Sequence, residues 1–242
     1  MNLVIDRGNT ATKIAIFDQR KLVKQVTFEV CDASQLVVFF DKYPITQVIY
    51  SSVVPTEPNL FEFFERKTAF FIHLINTTPI PITLDYETPL TLGCDRIAAL
   101  VGAWSLQPHK AALVIDIGTC ITYDFITSEG VFVGGNIAPG LAMRLKAMHV
   151  FTGQLPEIQV QLPVDYLGTS TEQAMLSGAY WGILHEIEGV VGKLKLNYPD
   201  FLIFLTGGTT NYFEKQIKNC TFAEPNLVLI GLNEILIYND IH

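Results

Sequence analysis

Apolar and polar positions in this chain change period in an order that is used twice. Residues 3–5 are a β-branched, apolar run that stops at Asp6, Gly8-Asn9 supplies turn chemistry, and residues 12–17 read as the returning strand of a hairpin. Residues 22–30 form a third strand. Asp32 is placed to cap a helix over 33–43, which Pro44 ends. Residues 47–54 are the next strand, closed by Pro55. Thr56 and Pro58 mark a helix start whose apolar side is Leu60, Phe61, Phe63 and Phe64, and residues 70–75 are another strand. The predicted order is β-β-β-α-β-α-β. Three strands ahead of the first helix make a mixed sheet, because a parallel doubly wound sheet alternates strand and helix from the start.

Residues 76–94 break the periodicity. Prolines at 79, 81 and 89 make this stretch an irregular, stiff loop, and long loops in compact domains are commonly functional. It ends in Gly93-Cys94-Asp95-Arg96, directly before an apolar helix predicted over 97–106. The plainest role of Asp95 there is a helix cap.

The second half repeats the opening. Residues 111–115 are a buried strand, followed by Asp116-Ile117-Gly118-Thr119. Residues 121–127 return, and Ser128-Glu129-Gly130 turns into a strand over 131–133. Gly134-Gly135-Asn136-Ile137-Ala138-Pro139-Gly140 then leads into a helix over 141–149. Gly168-Thr169-Ser170-Thr171 opens a long helix reaching Lys195. Its Gly178, Gly182, Gly189 and Gly192 each cost about 0.8–1 kcal/mol relative to alanine, which close packing of another helix or a second subunit would explain. Residues 201–205 are a strand ending in Thr206-Gly207-Gly208-Thr209-Thr210, residues 227–230 read as a strand, and a short helix closes the pattern. Asp6 and Asp116 hold equivalent places 110 positions apart. The duplication divides the chain into related domains at 1–109 and 110–242.

Composition narrows the function. With 49% apolar and 17% charged residues the chain is a compact globular protein, and no apolar run reaches the ~18 residues of a membrane span. The start of the sequence does not read as a secretory leader. Cys31, Cys94, Cys120 and Cys220 are scattered, which fits reduced thiols in the cytoplasm and neither a disulfide framework nor a zinc site. A net charge of −8 without basic runs argues against nucleic-acid binding.

Three glycine turns follow apolar strands: Asp6-Arg7-Gly8-Asn9-Thr10, Asp116-Ile117-Gly118-Thr119 and Thr206-Gly207-Gly208-Thr209-Thr210. Backbone N–H groups in such turns, with hydroxyls, bind phosphates well, and strand ends are where α/β sheets hold ligands. A single Asp-x-Gly-x-Thr turn is equally a polar hairpin, but two copies at matching places and a third Gly-Thr turn favour nucleotide phosphates. An Asp at the end of a buried strand is costly without a cation or a donor, so Asp6 and Asp116 are candidates to hold metal ions around a nucleotide, directly or through water.

Taken together, these residues resemble type III pantothenate kinase, of the acetate kinase/sugar kinase/Hsp70/actin superfamily. The matching pieces are Asp6-Arg7-Gly8-Asn9-Thr10 with Lys13, Ser52-Val53-Val54-Pro55, Tyr86, Gly93-Cys94-Asp95-Arg96, Asp116-Ile117-Gly118-Thr119, Gly134 to Gly140, Thr171 with Ser177-Gly178, and Thr206-Gly207-Gly208. The resemblance implies two similar actin-like (ribonuclease H-like) α/β domains, each a mixed β-sheet flanked by helices, with the active site in the cleft between them. It implies ATP-dependent phosphorylation of pantothenate to 4′-phosphopantothenate, the first step of coenzyme A biosynthesis, with Mg²⁺, a monovalent cation (K⁺ or NH₄⁺) and a homodimer. By the same resemblance Asp6, Arg7, Gly8, Asn9, Thr10, Ala11, Thr12, Lys13 and Thr119 bind ATP, and Asp6 bears on Mg²⁺. Asp95 accepts the proton of the pantothenate hydroxyl, and Tyr86, Gly93, Cys94, Asp95, Arg96 and Thr171 contact pantothenate. Asp116 binds K⁺. Arg7 and Asn136 stand where the family usually has apolar or small residues. Two other readings share these residues: a non-catalytic regulator like the Bvg accessory factors, and a kinase of the same fold for another small molecule.

Overall fold

The computed structural model describes residues 1–29, 33–55, 58–217 and 220–241, so Cys31, the expected cap Asp32 and Thr56 of the expected helix start lie outside the described residues. The first elements are β1 (Asn2–Arg7), β2 (Thr12–Asp18), β3 (Lys21–Phe28), α1 (Ala33–Lys42), β4 (Gln47–Ser52), α2 (Pro58–Lys67) and β5 (Phe70–His73). There follow β6 (Thr83–Leu84), a 3-10 turn at Pro89–Thr91, α3 (Cys94–Leu106), β7 (Ala112–Ile117), β8 (Cys120–Ile126) and β9 (Val131–Pro139). The remainder is α4 (Leu141–Val150), α5 (Thr171–Lys195), β10 (Leu202–Thr206), a 3-10 turn at Thr210–Tyr212, β11 (Phe222–Ala223) and α6 (Leu227–Ile241). No helix among the described residues is long and apolar enough to cross a membrane.

The chain forms two compact units. One comprises Met1–His109, Ile126–Gly134 and Asn226–His242; the other comprises Lys110–Phe125 and Gly135–Pro225. The first sheet runs β3-β2-β1-β4-β5, with β1 antiparallel to β2 and parallel to β4. Alternate residues of the central strands feed one core: Leu3, Ile5, Ile14, Ile16, Val48 and Tyr50 pack with Leu36 and Phe39 of α1 and Phe64 of α2. β3 sits at the sheet edge, which is why three of its residues in a row, Val23 to Gln25, are exposed.

The second sheet runs β11-β10-β7-β8-β9-β6. Its first five strands repeat the first sheet position for position, with β7 in the place of β1, β8 of β2, β9 of β3, β10 of β4 and β11 of β5. The repeat reaches single residues. Asp6 lies opposite Ser51 across the parallel β1–β4 pair, and Asp116 lies opposite Thr206 across the parallel β7–β10 pair. The core of the second unit is formed by Leu113 and Ile115 of β7, Ile203 and Leu205 of β10, and Ile183, Leu184 and Ile187 of α5.

Four local expectations are corrected. Residues 227–230 are the first turn of α6 and form no strand. Leu227, Leu229, Leu232, Ile235 and Leu236 are all fully buried. A short run apolar on every side is common to a buried strand and a buried helix, and period cannot separate them. β9 continues through Gly134 to Pro139, beyond the strand expected over 131–133. The loop at 76–94 contains the two-residue strand β6, paired in parallel with Val131 and Phe132 of β9. Among the described residues, close packing of a second helix is not what the glycines of α5 serve: a Cβ added at Gly178, Gly189 or Gly192 would meet nothing within 4 Å, and one at Gly182 would meet only the Arg144 guanidinium of α4, at 3.6 Å.

Candidate active site

Two sets of candidate residues are built within the first unit. The first is the β1–β2 turn. Its tight geometry is closed by Gly8 N–H donating to the Ala11 carbonyl at 3.0 Å. The antiparallel register sets Asp6 opposite Lys13 and Arg7 opposite Thr12. Asp6 and Lys13, being cross-strand partners, share one face of the sheet. Asn9 and Thr10 are exposed at the tip, while Asp6, Arg7, Gly8, Ala11 and Lys13 are half-buried and Thr12 is buried. Ser51, beside Asp6 in the register, has a wholly buried hydroxyl oxygen without a hydrogen-bond partner. The Asp6 carboxylate at the strand end is of the kind a hydrated cation such as Mg²⁺ uses, since that ion takes one or two carboxylates and keeps its waters.

The second set is the loop that leads to α3. Asn76 fastens both ends of its latter part, donating from Nδ2 to the carbonyls of Pro89 at 3.0 Å and Leu92 at 2.5 Å. β6 holds the middle: Thr83 N–H donates to the Gly130 carbonyl and Asp85 N–H to the Phe132 carbonyl, each at 2.9 Å. Tyr86, the next residue, stacks on the Phe132 ring with centroids 5.4 Å apart and planes at 28°. The Arg96 guanidinium carbon is 6.0 Å from the Tyr86 ring centre and 5.8 Å from that of Phe132, within cation–π range. Arg96 is 7% exposed, so its charge lies beside these rings and is largely kept from bulk water.

Asp95 is not the cap of α3. Gly93 is the N-cap and makes no side-chain cap bond; Asp95 lies in the first turn, where its Oδ1 accepts from the Arg96 N–H at 2.9 Å. A carboxylate at this position is also favoured by the positive end of the helix dipole. The residue is half-buried. Cys94 is half-buried with its Sγ 3.6 Å from the Leu74 carbonyl. Burial, and then the charge of Asp95, push the Cys94 thiol above its ordinary range. The structure therefore brings Tyr86, Arg96 and Asp95 onto one short stretch of fold. Phe132, which the sequence shows only as one apolar residue of a strand, is the shared neighbour of Tyr86 and Arg96.

The second unit carries the other turn. Asp116 ends β7 as Asp6 ends β1. Gly207, at φ +102°, passes so close that a Cβ there would fall on Asp116 Oδ1 and on the Ile117 backbone, and only glycine allows that approach. Thr209 secures the same turn, donating from N and Oγ1 to the Ile117 carbonyl at 3.1 and 2.8 Å. The result is a carboxylate with backbone packed closely beside it. Thr119 is exposed, and its carbonyl accepts from Gly140 N–H at 3.0 Å. Behind Gly140, Arg144 donates to the Pro139 carbonyl at 2.7 Å and to Glu186 at 2.7 Å, and Glu186 also accepts from the Tyr123 hydroxyl at 2.7 Å. Burial and this hydrogen bond hold the Tyr123 hydroxyl neutral far into alkali. Thr171, exposed, begins α5, whose N-cap Ser170 accepts from Gln173 N–H at 3.2 Å. Ser51 and Thr206, the register neighbours of the two aspartates, were legible in principle, since each follows the apolar run of the next parallel strand.

Comparison with known proteins follows this geometry. The family model for type III pantothenate kinase matches residues 2–193. A type III pantothenate kinase of Phocaeicola vulgatus is 43% identical over 240 residues, covering 99% of each chain. One of Porphyromonas gingivalis is 38% identical over 242 residues, covering 98% of each chain. Among solved structures, a Campylobacter jejuni protein assigned to the Baf family of transcriptional activators superposes with a TM-score of 0.64 at 22% identity, over 99% of this chain and 100% of that one. A glucokinase from an Antarctic psychrotroph superposes at 0.54 with 14% identity, over 98% of each chain. The structural likenesses carry the fold, a two-domain α/β fold of the actin-like sugar kinases. The sequence likenesses carry the family: this chain belongs to the type III pantothenate kinases.

Proposed function

We propose that this protein transfers the γ-phosphoryl group of ATP to the primary hydroxyl of pantothenate, giving 4′-phosphopantothenate and ADP, the first step of coenzyme A biosynthesis. The observation that carries this reading is the likeness to type III pantothenate kinases over essentially the whole chain. Phosphoryl transfer asks a protein for positioning and charge neutralisation more than for covalent chemistry. The turn from Asp6 to Lys13 supplies N–H groups, hydroxyls and a lysine for the ATP phosphates, and Thr119 adds a contact to ATP. Asp95 takes the proton of the hydroxyl as its oxygen bonds to phosphorus and the bond to ADP breaks. Arg96 pairs with the pantothenate carboxylate, for which a guanidinium fork is the matching shape. Tyr86, Gly93, Cys94 and Thr171 complete the pantothenate contacts. Asp6 would hold Mg²⁺, directly or through water, and Asp116 K⁺ or NH₄⁺; these ions supply charge neutralisation at the phosphates. The open glycine face of α5 supports a homodimer, which a monomer mass in sedimentation at micromolar concentration would overturn. A cytoplasmic enzyme would have ATP at hand.

An ATP-consumption assay with and without pantothenate, and with K⁺ or Na⁺, tests the reading. Turnover should require pantothenate and K⁺. Turnover with acetate or a sugar in place of pantothenate would instead point to a kinase of the same fold for another substrate. Asp95→Asn should lower kcat by about 10²–10⁴-fold while ATP binding persists. A variant with near-normal kcat removes Asp95 from the role of base.

A further inference from the structure

We infer that Phe132 is a positioning residue for pantothenate recognition, fixing the Arg96 guanidinium and the Tyr86 ring in the arrangement that the carboxylate meets. The inference rests on the pantothenate roles proposed for Arg96 and Tyr86, and it adds a residue that touches neither the turn nor the acceptor hydroxyl.

Three observations converge on this side chain. Phe132 is fully buried, so its ring has one fixed place. Its backbone carbonyl accepts from Asp85 N–H at 2.9 Å, and its register partner is Leu84, so it sets where the chain carries Tyr86. Its ring is stacked with Tyr86 and lies 5.8 Å from the Arg96 guanidinium carbon. Phe132 is thus the shared neighbour of both recognition side chains. β6 is only two residues long and cannot by itself hold Tyr86 rigidly.

The chemistry explains why an aromatic ring is required. A long arginine side chain loses much rotamer freedom when it is fixed, and an apolar wall of the right volume fills space without orienting a cation. The face of an aromatic ring attracts the guanidinium and leaves its N–H edges free to point elsewhere. Two rings within 6.0 Å of the same guanidinium carbon narrow the places it can take. A planar fork presented in one orientation binds a carboxylate in two-point fashion without first having to be ordered.

The test compares Phe132→Leu, Phe132→Tyr and Phe132→Ala with Arg96→Lys by steady-state kinetics on both substrates, with thermal melting alongside. Phe132→Leu keeps most of the volume and removes the ring face. It should melt close to the parent and raise the KM for pantothenate about tenfold, the lower range of a partly desolvated cation–π contact, with the KM for ATP unchanged within about twofold. Phe132→Tyr should restore the pantothenate KM to within about threefold. Phe132→Ala should show the KM effect together with a lowered melting temperature. A Phe132→Leu enzyme with the parent pantothenate KM overturns the inference, as does one whose two KM values rise together. If Arg96→Lys also leaves the pantothenate KM unmoved, the failure lies with the role given to Arg96. If Arg96→Lys raises it and Phe132→Leu does not, the failure lies with Phe132 alone.

Discussion

Cys94 is a half-buried thiol with the carboxylate of Asp95 beside it in the chain. Burial raises the Cys94 thiol, and the adjacent carboxylate raises it further, because a thiolate beside a negative charge is disfavoured. The thiolate is the reactive form, so alkylation of Cys94 at pH 8 should be slower than that of an unstrained cysteine and should climb at higher pH than the ordinary thiol range. Asp95→Asn removes the second cause and leaves the first. The midpoint should fall and alkylation at fixed pH should quicken, read as the modified Cys94 peptide by mass spectrometry. An unchanged or slower rate would show that the two groups do not sense each other. At this scale the sequence was informative about what lies next to what in the chain: Asp95 at a helix start, Asp6 and Asp116 at strand ends. It was silent about Phe132 and Asn76. Their work depends on partners 36 to 46 residues away for the ring and 13 to 16 residues away for the amide, and neither leaves a periodic signal.

Among the elements, the α3–α6 pair shows why one apolar run was misread. α3 is buried from Arg96 through Ala103, and α6 packs against it. Gly102 and Gly231 let the two backbones meet: a Cβ on Gly231 would fall on the Ala98 carbonyl, and one on Gly102 on the Leu227 carbonyl. Gly231→Ala should therefore destabilise the first unit by about 1–3 kcal/mol despite alanine's better helix propensity, measured by denaturant unfolding. A stabilised variant would mean that the helices stand farther apart than described. Gly231 was the available clue, since a lone glycine in an apolar run fits a close helix crossing as well as a break. The β-β-β-α-β-α-β order, by contrast, was readable because its strands alternate or end at polar turns. β6 and β11, two residues each, are too short to carry any period.

For the whole molecule, the repeat of strand order in the two sheets, with an aspartate facing a hydroxyl residue in each, accounts for the doubled opening motif. The composition of the units was not legible. A chain that leaves its first unit at Lys110 and comes back for Ile126–Gly134 and again from Asn226 does so through long-range packing, which local pattern does not encode. The second return is energetically large. Five large buried side chains of α6, at about 1.5–3 kcal/mol each, contribute roughly 8–15 kcal/mol, comparable to the net stability of a typical domain. A chain cut after Pro225 should lose amide-exchange protection in β1 and β4, and retained protection there would show that the first unit stands without α6.

The position of α6 in the chain also has a consequence in time. The stretch from Met1 to His109 emerges from the ribosome first, yet the helix that completes its core emerges only after the whole second unit, roughly six to twenty-five seconds later at ordinary elongation rates. Until then Val4 and Ile49, which share the sheet face of Asn2 and its partner Asn233, lack part of their cover. A ribosome that stalls within the second unit therefore releases a polypeptide that already carries Asp95 but has no finished first unit, and such a fragment goes to proteolysis before it can compete for ATP. Protease-resistant first units on arrested nascent chains that end before Asn226 would contradict that sequence of events.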